Sequence, residues 1–448
     1  MPNLLSSMDI LLAFVLLLGT SIVGILLFRR ASEEEYLIAG RRVSAIVVGG
    51  TMAVCIIGGG VILVFSEYAY KYGLSAFAIF GGLALGLIAL LFISKKYKPE
   101  ADEQRFYTIP DLFSFHWGKA AGLLASAVVI GWALGFVIMQ LISSAVLLKE
   151  LLPLPYWACV IISVIVVLLY LIVSGFRAVV VTDVIQYGAL ALFLIVIGLF
   201  AIPKVDYVTV SKHFGELGLF DALGFFILGF LNITVSADLW QRIYAAKSDK
   251  DARNGIMWGI LLLLIVGVLL YIPVLYARGL PIQFDPNKAL LLGLTLLPHG
   301  VIGLAFSAIL IAVVSTLDTM VFILGISFAN DIEIRFLSRP VDGRIRSTRF
   351  WMIVFGGIGA IVAIIYPDLL QTGLALSSLG LCLTPAVLCG MRWSLRSTTV
   401  IGSLCGGLFV FIILLAMGQF TPVNSVATLP GSIVGAVVGS IIGRFKRS

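Results

Sequence analysis

Ser315, Thr316, Asp318 and Thr319 sit in the middle of SAILIAVVSTLDTMVFILGISFAN, residues 307–330, a stretch otherwise as oily as a membrane span. On a helix, positions 312, 315, 316 and 319 fall along one stripe, and 318 borders it through its three-residue spacing from 315. An ionisable group at membrane depth is costly and usually faces a pathway or a partner. The spacing points to a face that binds a coupling cation. The competing reading bonds the hydroxyls back to their own helix and gives Asp318 one stray donor.

Three other stretches carry polar groups at membrane depth. GGTMAVCIIGGGVILVFSE places Gly58, Gly59 and Gly60 in succession, which weakens a helix and exposes its carbonyls. Irregular backbone is tolerated there where it lines a cavity or is buried in protein. Close packing of small residues is the alternative. SGFRAVVVTDVIQYG carries Thr182, Asp183 and Gln186. Asp183 suits a cation site, a helix N-cap or a partner for Arg177. LGFFILGFLNITVSADLWQRIYAAKSDKDARNG is interrupted by Asn232, Thr234 and Ser236. There Asp238 and Arg242 are four residues apart, the spacing of a helical ion pair. Candidate solute contacts are Gly58, Gly59, Gly60, Gln140, Asn232, Thr234 and Ser236, with Trp132 and Phe136 as apolar walls. Gln140 suits a neighbouring helix equally well. No buried Arg or Lys is evident to clamp a strong anion.

These groups must be held by elements that span a membrane. Of 448 residues, 60% are hydrophobic and 12% charged, more apolar surface than a soluble chain of this size can hide. Apolar segments run at 8–28, 43–66, 73–94, 118–148, 156–174, 181–202, 219–240, 252–277, 298–330, 350–367, 371–391, 399–416 and 426–443. Their lengths predict about thirteen transmembrane helices. The first is expected to be a retained span rather than a signal peptide. With the N-terminus outside and the C-terminus inside, 24 of the 30 Lys and Arg residues fall on the cytoplasmic side. The net charge of +7 is spread over short loops, which argues against a nucleic-acid partner. The histidines and cysteines have neither metal-site nor disulfide-framework spacing. No loop is long enough for an enzyme domain.

Two interrupted spans, at 43–66 and 219–240, open two five-helix units, 43–202 and 219–392, joined by 203–218. An odd helix number inverts the second unit relative to the first. Residues 1–42 add one helix and a loop, and 393–448 add two glycine-rich peripheral helices.

The pieces GGTMAVCIIGGG, SGFRAVVVTDVIQYG, ADLWQRIYAAKSDKDARNG and AFSAILIAVVSTLDTM resemble the sodium/solute symporter family, whose bacterial members carry proline, sialic acid and sugars. The resemblance implies a LeuT-like core of five helices plus five inverted, in a multi-pass protein of a prokaryotic inner membrane. It implies a main Na+ site formed by the carbonyls of Ala53, Ile56 and Ala312 and the hydroxyls of Ser315 and Thr316. All are oxygens, which suit a hard cation. It also implies a second Na+ site, or a proton in its place, at Asp183, Ser315, Asp318 and Thr319. Asp318 stands where relatives have serine, and its charge and that of Asp183 would oppose each other. Ser315 and Thr316 are then expected to face the broken span, with Asp318 and Thr319 extending towards Asp183. The implied activity is Na+-driven uptake of a small organic solute by alternating access, and the scarcity of polar groups favours an amino-acid-like solute or monocarboxylate over a large sugar. One Na+ or two would be used, and a single lipid-embedded chain would suffice. The alternatives are proton coupling, or a passive channel or sensor without coupling.

Overall fold

Lipid offers a backbone no hydrogen-bond partner, so uncharged apolar runs close their own bonds as helices. The computed structural model describes residues 32–204, 214–280, 285–298, 301–418 and 420–445, with Gly19 and Ile22. The helices are α1 (Glu33–Ile38), α2 (Ala45–Ile56), α3 (Gly59–Tyr72), α4 (Ala78–Glu103), α5 (Ile109–Trp117), α6 (Lys119–Leu151) and α7 (Tyr156–Ala201). They continue as α8 (Leu219–Val235), α9 (Ala237–Ala245), α10 (Asp249–Arg278), α11 (Ala289–Gly293) and α12 (Val301–Ile326). The last are α13 (Arg344–Ile365), α14 (Leu369–Gly380), α15 (Thr384–Arg392), α16 (Ser397–Met417) and α17 (Thr428–Phe445). Among the described residues, ten helical runs are long and apolar enough to cross a membrane. The span expected at 8–28 lies outside the described residues apart from Gly19 and Ile22, as do Arg29, Arg30, Lys212, His213, His299, Lys446 and Arg447.

Helix α12 is the axis of the molecule. Outside its polar middle it is apolar, and its span is buried all round, packed by α6, α7 and α13. The opposite holds for α16 and α17, in which few residues are buried. These two pair through glycines: a Cβ on Gly402 would meet the Gly435 carbonyl oxygen at 2.3 Å.

The long run of α7 contains two expected spans, and Gly175 divides them. Its φ of 63° and ψ of −163° are open to glycine and costly for other residues. A Cβ there would also approach Tyr36 of α1 to 2.6 Å. Tyr36 in turn donates to the Ile172 carbonyl at 3.2 Å, seating α1 beneath the bend. Gly175→Ala is therefore expected to destabilise the protein by about 1–3 kcal/mol. A thermal unfolding midpoint equal to wild type would contradict this.

Candidate cation and solute site

The expected interruption in the second span falls at Ile57 and Gly58, between α2 and α3. Ile57 has ψ near 46° and Gly58 is extended. In a continuous helix the Gly59 amide would donate to the Cys55 carbonyl. Here it donates to Gln140 Oε1 at 2.8 Å. The freed Cys55 carbonyl is met instead by Thr316 Oγ1 at 3.4 Å, which also lies 3.3 Å from the Ala312 carbonyl. Two side chains, one from α6 and one from α12, thus prop the break open. Gln140 thus bonds to a neighbouring helix, the alternative its sequence position left open, and supports backbone there. Gly58 is needed because a Cβ would come within 2.7 Å of both Gln140 Nε2 and Thr316 Oγ1.

The second interruption is narrower than expected. Helix α8 runs through Asn232 and Thr234, and only Ser236 leaves helical geometry before α9 begins. Thr234 returns its hydroxyl to the Leu231 carbonyl at 2.6 Å. The basic ends of the two broken helices are tied together. Val43 donates to the Ala245 carbonyl at 3.1 Å, and Lys247 donates to that of Val43 at 2.9 Å. Lys98 Nζ adds a bond to the Tyr244 carbonyl at 3.3 Å. Nearby, Arg41 pairs with Glu34 at 2.8 Å. Burial would raise the Glu34 carboxyl, but hydrogen bonds from Tyr107 and Arg41 outweigh it and hold the group below its usual value.

Around the middle of α12 the polar side chains diverge. Successive helical residues point about 100° apart. Thr316 faces the first break, as expected, but the Ser315 hydroxyl donates to the Asp183 carboxylate instead. Asp318 receives the Tyr170 phenol and lies 3.3 Å from Thr319 Oγ1. Thr319 also reaches Cys55 Sγ at 3.5 Å. The cationic side chain paired with Asp183 is not Arg177, which pairs with Glu35. It is Arg242, whose Nη2 lies 2.7 Å from Asp183 Oδ2 in a pair that is almost completely buried. The ion pair anticipated between Asp238 and Arg242 is not made through side chains. Arg242 Nη1 donates to the Asp238 backbone carbonyl at 3.1 Å, while the Asp238 carboxylate takes the Ser236 hydroxyl. The absence of a buried Arg or Lys read from the sequence is also corrected, since Arg242 and Lys98 are 1% and 0% exposed.

A cavity of about 160 Å³ lies beside both breaks. Gly60, Trp132, Phe136, Asn232 and Ser236 line it, while Gly58, Gly59, Gln140 and Thr234 do not. Sequence reading missed Met139, Met320, Asp238 and the α14 wall of Gly373 and Ser377. The signal for α14 was slight, a pair of serines in LALSSLG. Trp132 Nε1 and Asn232 Oδ1 are buried without a protein hydrogen-bond partner. Both flank Gly380, within 3.1 Å of where its Cβ would stand. They offer a solute one donor and one acceptor in a mostly apolar chamber that also carries Ser236, Asp238 and Ser377.

Helices broken at membrane depth around one chamber define the class, a multi-pass helical secondary transporter. A model of the sodium:solute symporter family matches residues 36–222. The sodium/glucose cotransporter of Vibrio parahaemolyticus is 26% identical over 389 residues, covering 75% of this chain and 68% of that one. The osmoregulated proline transporter OpuE of Bacillus subtilis (strain 168) is 21% identical over 452 residues, covering 92% and 90%. A Na+-coupled sialic acid symporter, solved in a substrate-bound outward-open state, superposes with a TM-score of 0.83. That match has 17% identity and covers 97% of this chain and 98% of the other. Over residues 36–222 the chain is similar to the sodium:solute symporters, its fold is that of the solved symporter, and these likenesses support Na+-coupled solute symport.

Proposed function

We propose that the chain couples inward movement of Na+ to uptake of a small, amino-acid-like solute across a prokaryotic inner membrane. The observation that carries this reading is the Thr316 hydroxyl, placed beside the Cys55 and Ala312 carbonyls at the helix break. The ligands assigned to the ion are the carbonyls of Ala53, Ile56 and Ala312 with the hydroxyls of Ser315 and Thr316. The Ala53 carbonyl already accepts the Ile57 amide at 3.0 Å, and its second lone pair would serve the ion. Bound Na+ would hold the break against α12 and favour the state that accepts solute, so ion and solute raise each other's affinity. The membrane potential adds roughly 2.3 kcal/mol per charge per 100 mV.

The basic end, where the two broken helices are tied, is assigned to the cytoplasm. Residues 43–202 and 219–392 are assigned as the inverted repeats, and one lipid-embedded chain as the transport unit. The Asp238 carboxylate at the chamber wall favours a solute with an ammonium or other donor over a plain monocarboxylate.

Uptake into proteoliposomes under separate Na+ and pH gradients tests the coupling. A Na+ gradient alone is expected to drive accumulation. Uptake driven only by ΔpH would sink the sodium assignment. Trp132→Phe removes the unpartnered indole N–H and is expected to raise the solute KM about 2- to 10-fold. Na+ half-saturation, measured at saturating solute, should stay put; a selective loss of Na+ affinity would move Trp132 out of the solute site.

A further inference from the structure

We infer that Arg242 is a tethered cation that fills the oxygen cluster around Asp183 and so limits this transporter to the single Na+ of the Thr316 site. The inference rests on the Na+-symport reading and adds what sets its ion count. The cluster has the makings of a second site for a hard cation: the carboxylates of Asp183 and Asp318 and the hydroxyls of Ser315 and Thr319, all fully buried. Each of these groups already has a protein partner. Asp183 takes the Ser315 hydroxyl on one oxygen and Arg242 Nη2 on the other, at 2.7 Å. The same Nη2 reaches Thr319 Oγ1 at 3.1 Å and also meets Cys55 Sγ. Asp318 is held by Tyr170. The guanidinium carbon stands 5.7 Å from the centroid of the Phe176 ring.

Two physical consequences follow. A Na+ entering this cluster would sit against a guanidinium in a poorly screened interior, where like charges repel strongly. Removing the guanidinium would instead leave Asp183 buried and uncompensated, a state that draws in a mobile cation. Arg242 belongs to α9, the helix that follows the second break.

Equilibrium binding of radioactive Na+ to purified, folded protein at pH 8 tests this. Arg242→Gln is expected to bind one more Na+ per chain at saturation than wild type. An equal count overturns the inference. Asp183→Asn is the second arm, decisive if Arg242→Gln cannot be recovered folded. Its saturating Na+ count should match wild type, whereas loss of one ion would show that Asp183 already holds a Na+ beside Arg242. A wild-type count of zero would defeat the Thr316 site, and with it the symport reading, while leaving the one-ion increment in Arg242→Gln to be judged separately.

Discussion

Thr316→Ala should raise the Na+ concentration for half-maximal uptake about tenfold or more, and Thr316→Ser should restore most of the loss. The hydroxyl has two duties. It is one of five oxygens assigned to the ion, and it is the group that meets the Cys55 carbonyl where the helix breaks. Losing it leaves that carbonyl without its partner in a buried site, a penalty of roughly 1–3 kcal/mol. A factor of ten in affinity corresponds to about 1.4 kcal/mol, so the expected shift lies within that range. Serine keeps the oxygen and drops a methyl. Sodium half-saturation measured by uptake in proteoliposomes gives the answer. An alanine variant with wild-type half-saturation would remove Thr316 from the ion pathway.

The second large effect is expected at Gly58. Its extended φ and ψ suit alanine, so backbone strain is not the issue. The added methyl is. It would stand 2.7 Å from Gln140 Nε2 and from Thr316 Oγ1, the two side chains that prop the break. Overpacking of this kind costs typically 1–3 kcal/mol. It would push Gln140 off the Gly59 amide and Thr316 off the Cys55 carbonyl together. Gly58→Ala is therefore expected to weaken Na+ binding about 10- to 100-fold while the protein still folds. Gly60→Ala makes an informative contrast. A Cβ there meets the flexible Met139 side chain at the chamber wall, so it should act on solute KM more than on Na+. Equal Na+ affinity in Gly58→Ala and wild type would mean that the close approach plays no part in the site.

Much of the frame was legible in the amino-acid order because its causes are local. Apolar runs fix helices, the three glycines after Ile57 mark a weak point, and α12 stands out by the polar residues set in its apolar run. The direction of a side chain is less local. Ser315 and Thr316 are neighbours in sequence, yet one helical step sends their hydroxyls to different partners. Tyr170 stands alone in VIVVLLYLIV and gives no hint that it meets Asp318, which lies 148 positions away. Gln140 reads as a solute contact until the backbone it supports is in view.

Arg242 shows most clearly where sequence reading stops. Four-residue spacing offers it Asp238, and on an isolated helix that pair is reasonable. In the fold, the Asp238 carboxylate takes the Ser236 hydroxyl and lies in the first turn of α9, where the helix dipole favours negative charge. Asp183, fully buried on α7, takes the Ser315 hydroxyl but has no helix N-terminus beside it. The long arginine side chain therefore crosses to α7, because an uncompensated buried carboxylate is the costlier one to leave.

The amino-acid order by itself determined a lipid-embedded helical chain, two weak points in its spans, and a stripe of oxygens on α12. Hydropathy, backbone freedom and helical periodicity act within a few residues, so each could be read in place. Tertiary structure alone decided which oxygens converge on the first break and which are claimed by Arg242. Those pairings join residues far apart in the chain, and burial makes every unpaired polar group costly enough to force the choice.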